Sequence, residues 1–223
     1  MNEASLSYCA KAARRYREAS DLVDFILNNP EYSTGVFQIL FAFVEPQQYS
    51  EAKLRSSFAY RFGPKLELGS ILPDLMRAFY NTSKEDLSNR RGSFLEELIE
   101  RVGPVTSKPF LNKWLECNIF YQKRLIWDLE YDFDVLFEFS PTDIEAHECK
   151  ANLVNYLRGN ESQGKIEFMA NVVQFYKDNG WQCVAYVPTL CLNPFPQFTR
   201  LLENAGLTVL LRDKLSALVA ETA

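Results

Sequence analysis

Asp134, Glu148 and Lys150 are the residues whose types and spacing could do chemistry. Asp134 sits in the apolar run Phe133 to Phe139, and Glu148-Cys149-Lys150 sits in the run Ala146 to Ala151. A phosphodiester resists attack because its anionic oxygens repel a nucleophile. Two carboxylates can hold a divalent ion that offsets this charge and activates water, and an amine beside them orients that water and stabilises developing charge. Side chains on a strand alternate between faces, so Glu148 and Lys150 share one face and Cys149 takes the other.

The elements around these residues must bring them together. Along the first run Phe133, Val135, Phe137 and Phe139 line one side, and Asp132, Asp134, Leu136 and Glu138 the other. Ser140-Pro141-Thr142-Asp143 is turn chemistry, which predicts an antiparallel hairpin. Opposed residues in such a pair point the same way. A regular four-residue loop would set Asp134 against Cys149, on the wrong side. A three- or five-residue loop, or a bulge, sets Asp134 opposite Glu148 or Lys150, and the site requires one of these.

Further out, residues from about Ser5 to Leu27 have roughly helical spacing, with Lys11, Arg14, Arg15 and Arg17 on another face. Gly35 to Val44 is a buried helix or a strand; periodicity does not decide. Pro46 to Phe62 and Gly69 to Tyr80 read as helices separated by Gly63-Pro64. The polar stretch Ser83 to Arg91 is the best boundary, giving a mainly helical N-terminal region (1–88) and a second domain (89–223). Ser93-Phe94-Leu95-Glu96 reads as a capping box starting a helix. A strand over Asn118 to Ile126 precedes the hairpin. Asn152 to Leu157 is strand or helix, broken by Gly159-Asn160. Then come a helix (Ile166 to Lys177), a strand (Cys183 to Val187), a helix (Phe195 to Asn204), a strand (Leu207 to Leu211) and a terminal helix from Lys214. This order predicts an α/β (α+β) fold, a mixed β-sheet flanked by helices.

With Asp134 and Glu148-x-Lys150 on its second and third strands, the segment from about 90 to 212 resembles the restriction-endonuclease-like, or PD-(D/E)xK, nuclease superfamily. Arg91-Gly92-Ser93-Phe94-Leu95-Glu96 looks like that family's first helix, in which a Glu soon after a Gly helps complete the metal site; Glu96 matches best and Glu97 is the fallback. Thirteen residues separate Asp134 from Glu148, an ordinary spacing for the family, whereas Phe133 stands where its name-giving Pro would be. The resemblance implies Mg²⁺ or Mn²⁺ held by Asp134, Glu148 and Glu96, with the Cys149 carbonyl as a further ligand. It also implies Lys150 as the group that orients or helps deprotonate water.

Composition limits the alternatives. The formal charge is −5, and residues 91–223 carry all the excess acid, 13 Lys+Arg against 18 Asp+Glu. Such a chain is not a nonspecific electrostatic binder of nucleic acid. One His and five cysteines without two-residue spacing do not make a zinc site, and the scattered thiols suggest a reducing, cytoplasmic setting. No apolar leader opens the sequence, and Val36 to Val44 is too short to span a bilayer. Arg90 and Arg91 are the candidate phosphate contacts by position. Glu138 is a further ligand or a surface group, and His147 is a packed or surface residue, with catalysis as the alternative. These residues predict a metal-dependent nuclease acting on DNA, possible as a homodimer. The rivals are an inactive nuclease-fold binding or assembly module, and a helical interaction protein in which the motif is coincidence.

Overall fold

A computed structural model describes residues 6–63, 68–127, 131–159 and 162–222. Its seven-stranded sheet is built around β2 (Asn112–Tyr121). On one side β1 (Leu6–Ala10) pairs antiparallel with it, and β3 (Arg124–Leu125) folds back on its end. On the other side lies β4 (Phe133–Ser140), antiparallel to β2 and to β5 (Asp143–His147). Then β6 (Gln182–Pro188) and β7 (Leu207–Leu210) run parallel to β5. The change of direction follows the connections: a tight turn can join only antiparallel neighbours, whereas parallel ones need a crossover helix.

Nine helices are described: α1 (Arg17–Asn28), α2 (Ser33–Ala42), α3 (Glu51–Phe62), α4 (Ile71–Tyr80), α5 (Lys84–Val102), α6 (Leu153–Arg158), α7 (Ser162–Asp178), α8 (Pro196–Asn204) and α9 (Arg212–Thr222). α1, α2, α4, α5 and α9 share one core with Val135 and Phe137 of β4. α7 covers the opposite face, over Leu136, Ile144 and Ala146. The protein is thus a mixed α/β fold with an N-terminal helical region. Pro64 and Asn160, expected at two breaks, lie outside the described residues.

The hairpin meets the demand of the site through a bulge. Ser140 pairs with Asp143 around a two-residue Pro141-Thr142 turn, and the register then shifts so that Glu138 pairs with Ile144 and Val135 with His147. Phe139 is the extra residue. The ladder ends at Val135 and His147, and one residue further Asp134 Oδ2 accepts from the Cys149 N–H at 2.6 Å. The strict alternation fails at one end. Phe133 packs on Phe168 of α7 with ring centroids 4.9 Å apart, on the face opposite Val135. Glu116, which faces this point from β2, has φ 44° and interrupts the pleat there.

Four sequence expectations need correction. Residues 6–10 are an edge strand and not the start of a long helix: Leu6, Tyr8 and Ala10 also satisfy a period of two, and the open edge of β2 pairs with their backbone. Tyr8 stacks on Trp114, with centroids 5.8 Å apart. The expected boundary at 88/89 falls inside the continuous helix α5. That helix begins after Ser83, whose Oγ accepts from Asp86 N–H, with Glu85 and Asp86 in the first turn; Ser93 is buried mid-helix. Gly35 lies in a helix, and β2 starts six residues earlier than the expected Asn118.

Candidate active site

Asp134 reaches the site from β4, and Glu148 and Lys150 from the chain just beyond β5. The backbone there stays in register with β6: Glu148 N–H bonds to Tyr186 O and Lys150 N–H to Pro188 O, both at 3.0 Å. Cys149 turns away into the helical core, as alternation requires. Asp134 Oδ2 accepts from the Cys149 N–H at 2.6 Å. Lys150 Nζ lies 2.6 Å from Glu148 Oε1 and 3.9 Å from Asp134 Oδ2, and 5.1 Å from the centre of the Tyr156 ring.

A second lysine completes the cluster. Lys165 Nζ is 3.0 Å from Glu148 Oε2 and 3.5 Å from Asp132 Oδ1, and it hydrogen-bonds the Asp132 carbonyl. Glu148, only 1% exposed, is held between two ammonium groups. Lys165 was missed in the sequence, although a signal exists. It stands three, four and seven residues before Phe168, Met169 and Val172, so the apolar stripe of α7 carries a lysine on its inner side.

Electrostatics divides the roles. Burial works against the Lys150 ammonium, but Glu148 and then Asp134 outweigh it and hold its pKa above the ordinary lysine range. Lys150 is therefore a cation and hydrogen-bond donor at neutral pH in the metal-free protein. Burial, then the charge of Glu148, pushes the Asp134 carboxyl up to about 8, against the pull of Lys150. Burial also raises Glu96, with Lys150 opposing.

Glu96 lines a narrow cleft with Asp134, Arg14, Arg15 and Ser93, so it opens toward the site. Glu97 does not serve as the fallback: it is buried, takes 2.6 Å from Ser20 Oγ, and pairs with Arg15 and Arg101. Arg90 and Arg91 are turned inward and are not free for phosphate. Arg90 holds the Ala78 and Phe79 carbonyls and Glu18, and Arg91 Nε donates to Leu40 O at 2.6 Å. They stitch α5 to α4, α1 and α2. Glu138 is buried rather than exposed, and accepts from Asn112 and Trp114. His147 is fully packed, with Nε2 2.8 Å from Glu145 Oε1.

Among the described residues no group of three or more His, Cys, Asp and Glu side chains converges as a ready metal cage. Asp134 and Glu148 have oxygens turned to internal partners, and Glu96 approaches them from α5. The donor set still suits a hard cation in kind, because it offers carboxylate oxygens. Glu148 Oε2 is buried and has Lys165 close by, but without hydrogen-bond alignment.

The elevated Asp134 has a consequence for stability. A carboxyl with a pKa raised on folding stabilises most when protonated, below its unfolded value near 3.8, and this is lost as pH rises through about 8. Asp134→Asn keeps an acceptor for Cys149 N–H and carries no charge. It should stabilise the metal-free protein by about 1–3 kcal/mol above pH 8, shrinking to nothing below about pH 4. Urea unfolding from pH 4 to 9 checks this, and a pH-independent difference would contradict it.

No family model matches the chain, and no curated protein matches it. Among solved structures it is similar to protein VC1899 from Vibrio cholerae, with a TM-score of 0.44 and 17% identity over 97% of this chain. The chain spans 57% of that protein.

Proposed function

We propose that this chain is a metal-dependent nuclease that hydrolyses DNA phosphodiester bonds at Asp134, Glu148 and Lys150, in a restriction-endonuclease-like domain. The observation that carries the reading is the convergence of the three side chains, with Lys150 Nζ 2.6 Å from Glu148 Oε1 and 3.9 Å from Asp134 Oδ2. An edge-strand ion pair would be exposed and worth under about 1 kcal/mol. Here Glu148 is buried between two lysines, next to an acid kept near a pKa of 8, a clustering typical of functional sites.

A Mg²⁺ or Mn²⁺ ion held by Asp134 and Glu148, with Glu96 and the Cys149 carbonyl beside them, would supply charge neutralisation on the phosphate and an activated water. Lys150, charged at working pH, donates to the attacking water or the phosphoryl oxygen and stabilises the charge that develops there. Lys165 positions Glu148. Tyr156 packs beneath the Lys150 ammonium and limits its wandering. Lys165→Met should lower cleavage about tenfold, a smaller loss than removing Lys150, because it acts through Glu148.

The reading extends to a cytoplasmic protein, supported by five free cysteines, and to a homodimer that would bring one site to each strand of a duplex. Among the described residues no helix is long and apolar enough to cross a membrane. One observation favours the rival of an inactive nuclease-fold binding module: Glu148 is already ion-paired with two lysines. Incubation of single-stranded DNA, duplex DNA and RNA with Mg²⁺ or Mn²⁺, with and without chelator, separates them. Chelator-sensitive cutting of DNA supports the nuclease. An intact, folded protein inert on all three substrates supports the module.

A further inference from the structure

The edge of the sheet that carries Lys150 continues to a second cationic cluster. β5, β6 and β7 run parallel, so their C-terminal ends lie along one edge. Hydrogen bonds step outward across it: Lys150 N–H to Pro188 O at 3.0 Å, Thr189 N–H to Leu210 O at 2.9 Å, and Arg212 N–H to Cys191 O at 3.1 Å. Two strand spacings put the Arg212 backbone about 10 Å from the Lys150 backbone.

Arg212 opens α9 and is only 5% exposed. Its Nε is buried without a hydrogen-bond partner, and among the described residues its guanidinium forms no ion pair. Arg61 of α3 shares its cleft, exposed, with Nη1 on the neutral Gln38 Oε1 at 3.1 Å. Burial, then the charge of Arg61, lowers the Arg212 pKa; the adjacent Asp213, exposed to solvent, opposes this. Two guanidinium groups at one cleft, one of them desolvated, are unfavourable until an anion joins them. The cleft encloses about 410 Å³, and Phe41, Leu192 and Tyr60 give it an apolar wall. Tyr60 is 93% exposed, an unusual expense for an aromatic ring unless something covers it.

We propose that the Arg61–Arg212 cleft binds a phosphate of the nucleic-acid strand beyond the scissile bond, with Tyr60 as the surface on which a base stacks. The strand rests on the nuclease reading; the phosphate site does not. The two guanidiniums then form a basic patch on a chain that is acidic overall.

Two measurements test this. The first is the thermal midpoint of the full chain in inorganic phosphate against chloride at equal ionic strength. Phosphate should raise it, and Arg61→Gln, an exposed change that spares the fold, should abolish most of the rise. The second is anisotropy of a labelled oligothymidylate on the Lys150→Ala protein. Adding Arg61→Gln should weaken binding about 5–10-fold and reduce the salt slope by about one, and adding Tyr60→Ala should weaken it about tenfold. No phosphate-dependent rise, with unchanged oligonucleotide affinity, overturns the proposal. A phosphate effect through Arg61 with oligonucleotide binding untouched removes the strand from this cleft and leaves a free-phosphate site. If the wild type cuts no nucleic acid yet phosphate acts through Arg61, the nuclease reading fails and the anion site stands.

Discussion

On the proposed mechanism, Lys150→Ala and Glu148→Gln should each lower metal-dependent DNA cleavage by about 10²–10³-fold, the scale of removing one preorganised stabiliser of a transition state. The two losses arise differently. Lys150→Ala removes a cation whose pKa is held high by Glu148 and Asp134, so it removes a donor that is always charged. Glu148→Gln removes the charge that offsets both Lys150 and Lys165, and with it one carboxylate available to a metal. The groups act as one unit, so the double variant should be little worse than the weaker single variant. Lys150→Arg should not rescue: a planar fork cannot replace a compact ammonium seated on Tyr156. Cleavage of a labelled substrate under single-turnover conditions, beside a thermal unfolding curve for each variant, gives the result. Equal rates for wild type and both variants would place any activity elsewhere.

The parts of this site that were readable from sequence are those set by periods of two. Alternation put Glu148 and Lys150 on one face, and the turn residues implied a hairpin. Register arithmetic then required an irregularity, which the structure supplies at Phe139. Contacts between elements distant in sequence were not readable. Lys165 reaches Glu148 only because α7 crosses back over the sheet after β5, a placement no local pattern encodes. The edge strand β1 was obscured because Leu6 and Ala10 fit a helix as well as a strand, and only the open side of β2 decides between them. Arg90 and Arg91 are phosphate candidates only by their position before a candidate catalytic helix. Tertiary packing gave them the carbonyl ends of α4 and α2 instead. The start of α5 was misplaced because Ser93 and Ser83 both head plausible capping sequences, and the acidic first turn after Ser83 was passed over.

The largest stability effect is expected on the opposite face of β5, at Glu145. Its carboxylate is fully buried and accepts three hydrogen bonds: from Val105 N–H at 2.6 Å, Thr106 N–H at 3.0 Å and His147 Nε2 at 2.8 Å. Burial works against the charged form, but His147 and the backbone amides outweigh it, so the pKa sits below the ordinary glutamate value. This one group ties the loop after α5 to the strand that leads into Glu148 and Lys150. Glu145→Ala strands two amides and an imidazole N–H at once, and should cost about 3–5 kcal/mol, a third or more of the stability of a typical domain. His147→Ala should cost less, about 1–3 kcal/mol, because Glu145 keeps both amides. The double variant should cost less than the sum of the two, since the second change removes a partner already lost. The pH signature is opposite to that of Asp134. A depressed carboxylate stabilises above its unfolded pKa near 4.5, and this is lost as pH falls through the lower folded value. Wild type should therefore lose stability faster than Glu145→Gln on acidification below about pH 4.5. Urea midpoints across pH 3 to 7 measure this, and parallel curves would mean that the buried carboxylate contributes nothing that depends on its charge.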